Sequence, residues 1–212
     1  MAVLEDLKNA IITYKPAKAK EYTQQALAEG YEPPQILSEG LIAGMTVIGD
    51  KFKRNQIYVP EVLIAAKATH AGLDVLKPLL SERKTKPIGK VIVGTVKDDL
   101  HDIGKNLVAM MLEGAGFEVI NLGVNVDPDK FIAAIKEYEP DIVGMSSLIT
   151  STLHWLEDTI KAIQEVGLRD KVKVMVGGAP VTEEWALQIG ADGYGKDATS
   201  AVEAARKLVG AA

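Results

Sequence analysis

Two periods divide the chain. Over residues 1–85 the apolar positions recur every three or four residues, the spacing of a helix face. Leu4, Leu7, Ile11 and Ile12 mark a first helix, and Ala17 to Glu29 reads as a second, stopped at Gly30. Pro33-Pro34 opens a third, carrying Ile36, Leu37, Leu41, Met45 and Ile48. The stretch KRNQIYVP breaks the pattern. Pro60 suits the first turn of a fourth helix, which runs through Leu63, Ala66 and Leu73 to about Leu80. Four helices with short connections predict a small bundle over 1–85.

The polar stretch SERKTKPIG, residues 81–89, reads as a linker. Beyond it the period changes. VIVGTV (91–96), FEVINLG (117–123), DIVGMSS (141–147) and KVMVGG (173–178) are strand-like, and ADGYG (191–195) is a weaker case. Helical segments separate them: Ile103–Ala115, Pro128–Tyr138, Thr152–Val166, Glu183–Ile189 and Ala198–Val209. Buried-type strands alternating with helices predict an α/β domain over 86–212, a five-stranded parallel sheet with helices on both faces. Five such units fit a flavodoxin/Rossmann-like sheet of order 2-1-3-4-5. Ligands of that fold sit past the carboxyl ends of the strands, at the point where the strand order reverses. The loops after the first, third and fourth strands are therefore where chemistry is expected.

Composition narrows the chemistry. With 212 residues, 47% hydrophobic and 25% charged, the chain is an ordinary globular one. A net charge of −5 disfavours a nucleic-acid partner. The absence of cysteine excludes disulfides, thiolate-bound metal and a cysteine nucleophile. No apolar run approaches a membrane span and no signal-peptide core is present, so the expected location is the cytoplasm.

The loop after the first strand reads KDDLHDIGKN and contains Asp99-Leu100-His101-Asp102-Ile103-Gly104. Asp99 could accept a hydrogen bond from one imidazole nitrogen of His101, fixing the tautomer and freeing the other nitrogen for a metal. Gly104, without a Cβ, lets a flat ligand approach. Taken alone, this short pattern favours an N-capping Asp102 beside an ordinary exposed histidine. The loop after the third strand holds Ser146, Leu148, Thr150 and Thr152 among hydroxyls that could merely cap a helix. The loop after the fourth holds Gly177 and Gly178, which could admit a ligand's tail or simply turn tightly. All three at one edge of one sheet are harder to treat as coincidence.

D-x-H-x-x-G, then S-x-L, then G-G, in this order, resembles the signature of base-off/His-on cobalamin-binding domains. TVKDDLHDIGKNLVAMMLEGAGFEVINLGVNV is similar to the matching segment of cobalamin-dependent methionine synthase, and MTVIGDKFKRNQIYVPEVLIAAKA resembles the helical cap of methyl-carrying members. A chain of only these two parts resembles the corrinoid proteins of multi-component methyltransferase systems.

The resemblance implies a cobalamin or related corrinoid whose cobalt takes His101 as its lower axial ligand. It implies Asp99 as the partner of that histidine and Thr152 as a further hydroxyl in the relay. It places Asp102, Ile103 and Gly104 beside the ligand, and Ser146, Leu148 and Thr150 along the nucleotide tail. Gly177 and Gly178 would leave room for that tail, with Gly193 and Tyr194 near its outer end. Phe52 and Val59, seven residues apart in the cap, would shield the methyl group, although core packing would account for both. His70 is expected to be structural or near the corrin edge and His154 to sit on a helix surface; neither has a carboxylate at motif spacing.

The implied role is a carrier rather than a complete enzyme, since 212 residues leave no room for a substrate-activating barrel of about 250. The implied partners are a donor-specific methyltransferase, an acceptor methyltransferase and a reductive activator, with no nucleic acid and no membrane. The linker would be the hinge on which the cap moves. The alternative is the adenosylcobalamin-binding subunit of a mutase, which shares the lower-face motif but not the methyl-type cap. A B12-dependent regulator would need a basic recognition helix, and a receiver domain would leave the histidine idle. The residues do not name the methyl donor; methylamines and methoxylated aromatics both stay open.

Overall fold

The computed structural model describes residues 2–82 and 87–211, without the side chains of 80–82. The expected boundary after residue 85, and the middle of the expected hinge, lie outside the described residues. The chain divides into two compact units. One is Met1–Pro87 together with Glu113–Gly116; the other is Ile88–Leu112 together with Phe117–Ala212.

The first unit is helical: α1 (Ala2–Ile12), α2 (Pro16–Ala28), α3 (Pro33–Gln35), a π-helical segment (Ile36–Ile42), α4 (Ala43–Lys53) and α5 (Val59–Glu82). Leu7, Ile11, Ile36, Leu41, Ile48 and Leu76 are fully buried in it. The third helix expected from Pro33 onward is therefore not uniform. The apolar step from Ile36 to Leu41 is five residues, the repeat of a π turn rather than of an α turn. Gly40 and Gly44 let α1 come close; a Cβ at either would strike Leu7 or Ile11. Pro60 lies in the first turn of α5, where its missing N–H costs nothing. The Tyr58 amide is instead satisfied by Glu61 Oε2 at 3.0 Å.

The second unit is a five-stranded parallel sheet of order β2-β1-β3-β4-β5, as the strand–helix alternation predicts. Its strands are β1 (Lys90–Thr95), β2 (Glu118–Asn121), β3 (Ile142–Ser146), β4 (Lys173–Gly177) and β5 (Gly193–Gly195). The helices are α6 (Ile103–Gly114), α7 (Pro128–Tyr138), α8 (His154–Glu165), α9 (Glu183–Gln188) and α10 (Ala198–Leu208). The inner strands β1, β3 and β4 are almost wholly buried, which explains their unbroken apolar runs. Phe131, Ile92, Val143, Leu156, Ile163 and Val174 are among the core residues of this unit. The weak fifth strand shrinks to three residues, and the helix after β3 starts at His154, behind a 3-10 turn over Thr150–Thr152. From β1 the chain crosses to β2 on one side, while β3 pairs with β1 on the other. The strand order therefore reverses between β1 and β3, and the loops that follow those two strands meet there.

Candidate functional site

At that meeting point stands Asp99, a carboxylate with no solvent exposure. One of its oxygens, Oδ1, accepts from the His101 backbone N–H at 3.0 Å and lies 2.7 Å from His101 Nδ1. The other, Oδ2, accepts from the Leu148 N–H at 2.7 Å and from Thr152 Oγ1 at 3.2 Å. Each oxygen thus faces a different loop. Burial opposes the charge on Asp99, but the bonds from the His101 and Leu148 amides, the imidazole and the threonine outweigh it and hold the carboxyl below its ordinary value.

The backbone around this carboxylate is pinned on all sides. Thr95 Oγ1 donates to the His101 carbonyl at 2.8 Å. Asp98 adopts a left-handed φ of 62° and donates its N–H to Asn125 Oδ1 at 2.8 Å. The Asn125 N–H in turn reaches the Asp99 carbonyl at 3.0 Å. Trp155 Nε1 donates to Asp98 Oδ2 at 3.2 Å, and Lys97 Nζ lies 4.5 Å from the Trp155 ring centre.

A carboxylate on Nδ1 keeps a proton there, so in the neutral ring Nε2 carries the lone pair. Among the described residues Nε2 has no partner, and the His101 side chain is 52% exposed. Beside it Leu100 and Ile103 are 71% and 74% exposed, and Leu148 and Ile149 are also uncovered. A Cβ added at Gly104 would meet nothing within 4 Å. One half-exposed imidazole among bare aliphatic side chains suits a large, flat, apolar ligand. Among the described residues no three or more histidines or carboxylates gather as a metal cage. The donor set therefore fits a metal held by its own macrocycle, with the protein supplying one axial nitrogen.

Other residues named from the sequence lie as follows. Asp102 is exposed and accepts from Asn106 Nδ2 at 3.0 Å. Ser146 ends β3, and its carbonyl accepts from the Val96 N–H at 3.0 Å; Thr150 is exposed at the start of the 3-10 turn. Gly177 and Gly178 do not face open space: a Cβ would run into the Gly195 carbonyl from Gly177, and into the Ser147 carbonyl from Gly178. Gly193 packs against Leu208, and Tyr194 donates its hydroxyl to the Val181 carbonyl at 2.9 Å. Phe52, in α4, and Val59, the first residue of α5, are both half-buried in the first unit. His154 is exposed and lies against Trp155, with ring centres 4.8 Å apart. His70, which lacks a carboxylate at motif spacing, acquires one in three dimensions: its Nε2 is 2.9 Å from Glu113 Oε2.

Sequence reasoning missed Ser147 and Asn125. Ser147 is buried, its Oγ 2.8 Å from Thr152 Oγ1. No chemical signal marks either one, because their work is to hold neighbouring loops.

Comparison with known proteins places this site in context. The B12 binding domain model matches residues 89–203, and a second B12 binding domain model matches residues 3–77. The chain is 41% identical to trimethylamine corrinoid protein 1 of Methanosarcina acetivorans, over 98% of this chain and 97% of that one. It is 44% identical to the dimethylamine corrinoid protein of Methanosarcina barkeri, with the same coverage of 98% and 97%. Among solved structures, the methanol:cobalamin methyltransferase complex MtaBC of Methanosarcina barkeri superposes with a TM-score of 0.89 at 26% identity, covering 100% of this chain and 81% of that one.

Proposed function

The chain belongs to the family of B12-binding corrinoid proteins, and from that premise we propose that it is a methyl carrier serving a methylated amine. The bound corrinoid supplies the cobalt that accepts and gives up the methyl group. One methyltransferase of the system loads that group, and another removes it. Methylamines are preferred over methoxylated aromatics as the donor class because the trimethylamine and dimethylamine corrinoid proteins match this chain end to end. A reductive activator completes the set of partners. A cytoplasmic location is part of the proposal; among the described residues no helix is long and apolar enough to cross a membrane.

The observation that carries this reading is the Asp99–His101 pair at 2.7 Å, with Nε2 unpaired among the described residues beside an uncovered apolar rim. In the proposed mechanism His101 would hold the cobalt through Nε2. Asp99 orients the ring, holds the proton at Nδ1 and strengthens Nε2 as a donor. Thr152 and the Leu148 amide keep the far oxygen of Asp99 occupied, so the carboxylate cannot swing away from the imidazole. Gly104, Asp102 and Ile103 would lie beside the corrinoid, and Ser146, Leu148, Thr150, Gly177, Gly178, Gly193 and Tyr194 would hold its nucleotide tail, although the Cβ directions of Gly177 and Gly178 are taken by neighbouring carbonyls. From the resemblance alone, Phe52 and Val59 are proposed to shield the methyl group. The chain itself activates no methyl donor, so turnover needs its partner enzymes.

His101→Ala tests the ligand. The substituted holo-protein is expected to lose the visible-spectrum features of histidine ligation while the cofactor-free protein keeps its fold, because the side chain is half exposed. An unchanged spectrum refutes the assignment. For the carrier role, the purified holo-protein is expected to leave methylamines untouched until a partner methyltransferase is added; turnover by the chain alone refutes it.

A further inference from the structure

Lys105 breaks two local rules. It is a lysine only 5% exposed, and it sits in the first turn of α6, where the helix dipole disfavours a cation. Among the described residues no carboxylate is paired with it. Its Nζ donates instead to two amide oxygens, Asn106 Oδ1 at 2.6 Å and Asn121 Oδ1 at 2.7 Å. Burial pushes the ammonium below the ordinary lysine value, and the nearby charge of Asp102 only partly restores it. A side chain under two penalties at once is held there by what it connects.

Its connections run to both sides of the His101 loop. Asn106 Nδ2 grips Asp102 Oδ2 at 3.0 Å, and Asp102 directly follows His101. On the far side, Asn121 ends β2, donates from Nδ2 to Asn106 Oδ1 at 3.0 Å and accepts from the Gly123 N–H at 3.0 Å. Gly123 carries the loop back to β1, where its carbonyl accepts from the Thr95 N–H at 3.0 Å. Thr95 is the residue whose hydroxyl holds the His101 carbonyl. A closed circuit therefore passes through Asp102, Asn106, Lys105, Asn121, Gly123 and Thr95, with His101 between its two ends.

We propose that Lys105 is a positioning residue for cobalt ligation: through Asn106 and Asn121 it locks the first turn of α6 to the end of β2, and so fixes the chain on the carboxyl side of His101. Asp99 orients the ring from one side; the Lys105 circuit holds the backbone on the other. The inference rests on His101 being the axial ligand.

Asn121→Ala is the cleaner test, because Asn121 is exposed and its truncation takes one partner from Lys105 without opening the core. Lys105→Met removes the charge at similar volume. Wild type and both variants, labelled with isotopic nitrogen in histidine, are loaded with cob(II)alamin. The share of cobalt with histidine-nitrogen coupling is read by electron paramagnetic resonance, and the fold of each cofactor-free protein by circular dichroism. Both variants are expected to keep the wild-type fold while the ratio of histidine-coordinated to uncoordinated cobalt falls about tenfold, as for loss of other groups that orient a metal ligand. A purely structural role would lower stability and leave that ratio alone. Undiminished coupling in folded Asn121→Ala overturns the proposal, and this variant decides alone where Lys105→Met fails to fold. Absence of histidine coupling in the wild type overturns the ligand assignment, and the proposal with it.

Discussion

Two histidines in this protein sit against carboxylates at almost the same distance, yet the two pairs do different work. His101 meets Asp99 at 2.7 Å and His70 meets Glu113 at 2.9 Å. In the first pair the carboxylate is wholly buried and saturated by bonds from two loops, while the imidazole is half exposed. In the second both partners are about equally covered, at 31% and 28% exposure, and Glu113 raises the His70 pKa through a hydrogen bond and its charge, against the opposing effect of burial. An imidazole–carboxylate contact is therefore not in itself a site. It becomes one where the carboxylate is anchored elsewhere and the imidazole keeps a nitrogen for something else.

The anchoring of the first pair is the first place to break the contrast. Gly178 has φ of 128°, and a Cβ there would run into the carbonyl of Ser147, the residue before the Leu148 amide that holds Asp99. Gly178→Ala is expected to cost about 3 kcal/mol of stability in urea denaturation. A loss under about 1 kcal/mol would show that the edge relaxes freely and that Asp99 is not rigidly framed.

Asp99→Asn comes next. It keeps the shape but removes the charge that selects the tautomer, and cobalamin affinity is expected to fall about 10–100-fold with the fold retained. Glu113→Gln in the other pair is expected to leave the titration with cobalamin unchanged. Equal losses in both variants would erase the distinction drawn between the pairs.

A smaller effect follows at Thr152. Thr152→Ala strips a donor from Asp99 and a partner from Ser147, for about 1–2 kcal/mol, while Thr152→Ser is expected to recover most of it. If serine behaves like alanine, the packing of the methyl group matters more than the relay.

The smallest effect separates the pairs by pH. The native pKa of His70 lies above its unfolded value, so its pair with Glu113 stabilises most below about pH 6.5 and loses that contribution as pH rises through the native value. In the cofactor-free protein, His70→Asn is therefore expected to cost more stability at about pH 5.5 than at about pH 8.5. Because the pair is partly solvated, the difference is under about 1 kcal/mol. A cost independent of pH would make His70 a packing residue only.

Much of this was legible in the sequence because it rests on local repetition. The change of apolar period from helical to strand-like separated the two parts, and the buried runs at 91–96, 141–147 and 173–178 marked the inner strands. The spacing of Asp99 and His101 placed their side chains within reach, since two residues of a turn can close a ring through an imidazole and a carboxylate. The helix opened by Pro33-Pro34 was legible as apolar but not as partly π-helical, because Leu37, Leu41 and Met45 also keep the four-residue spacing of an α-helix. Gly177 and Gly178 were legible as special without their reason. The sequence shows where a Cβ is missing, and only the fold shows that carbonyls of Ser147 and Gly195 occupy the place.

By itself, then, the sequence determined most of the elements, their parallel order and the loop in which His101 stands, because each depends on side-chain type and on neighbours a few positions away. Tertiary structure alone decided what surrounds them. Asp99 meets Leu148 and Thr152 because β3 pairs with β1, Lys105 meets Asn121 because β2 lies on the other side, and His70 meets Glu113 from far along the chain. A hydrogen bond between distant residues leaves no period in either segment, so no local pattern can carry it.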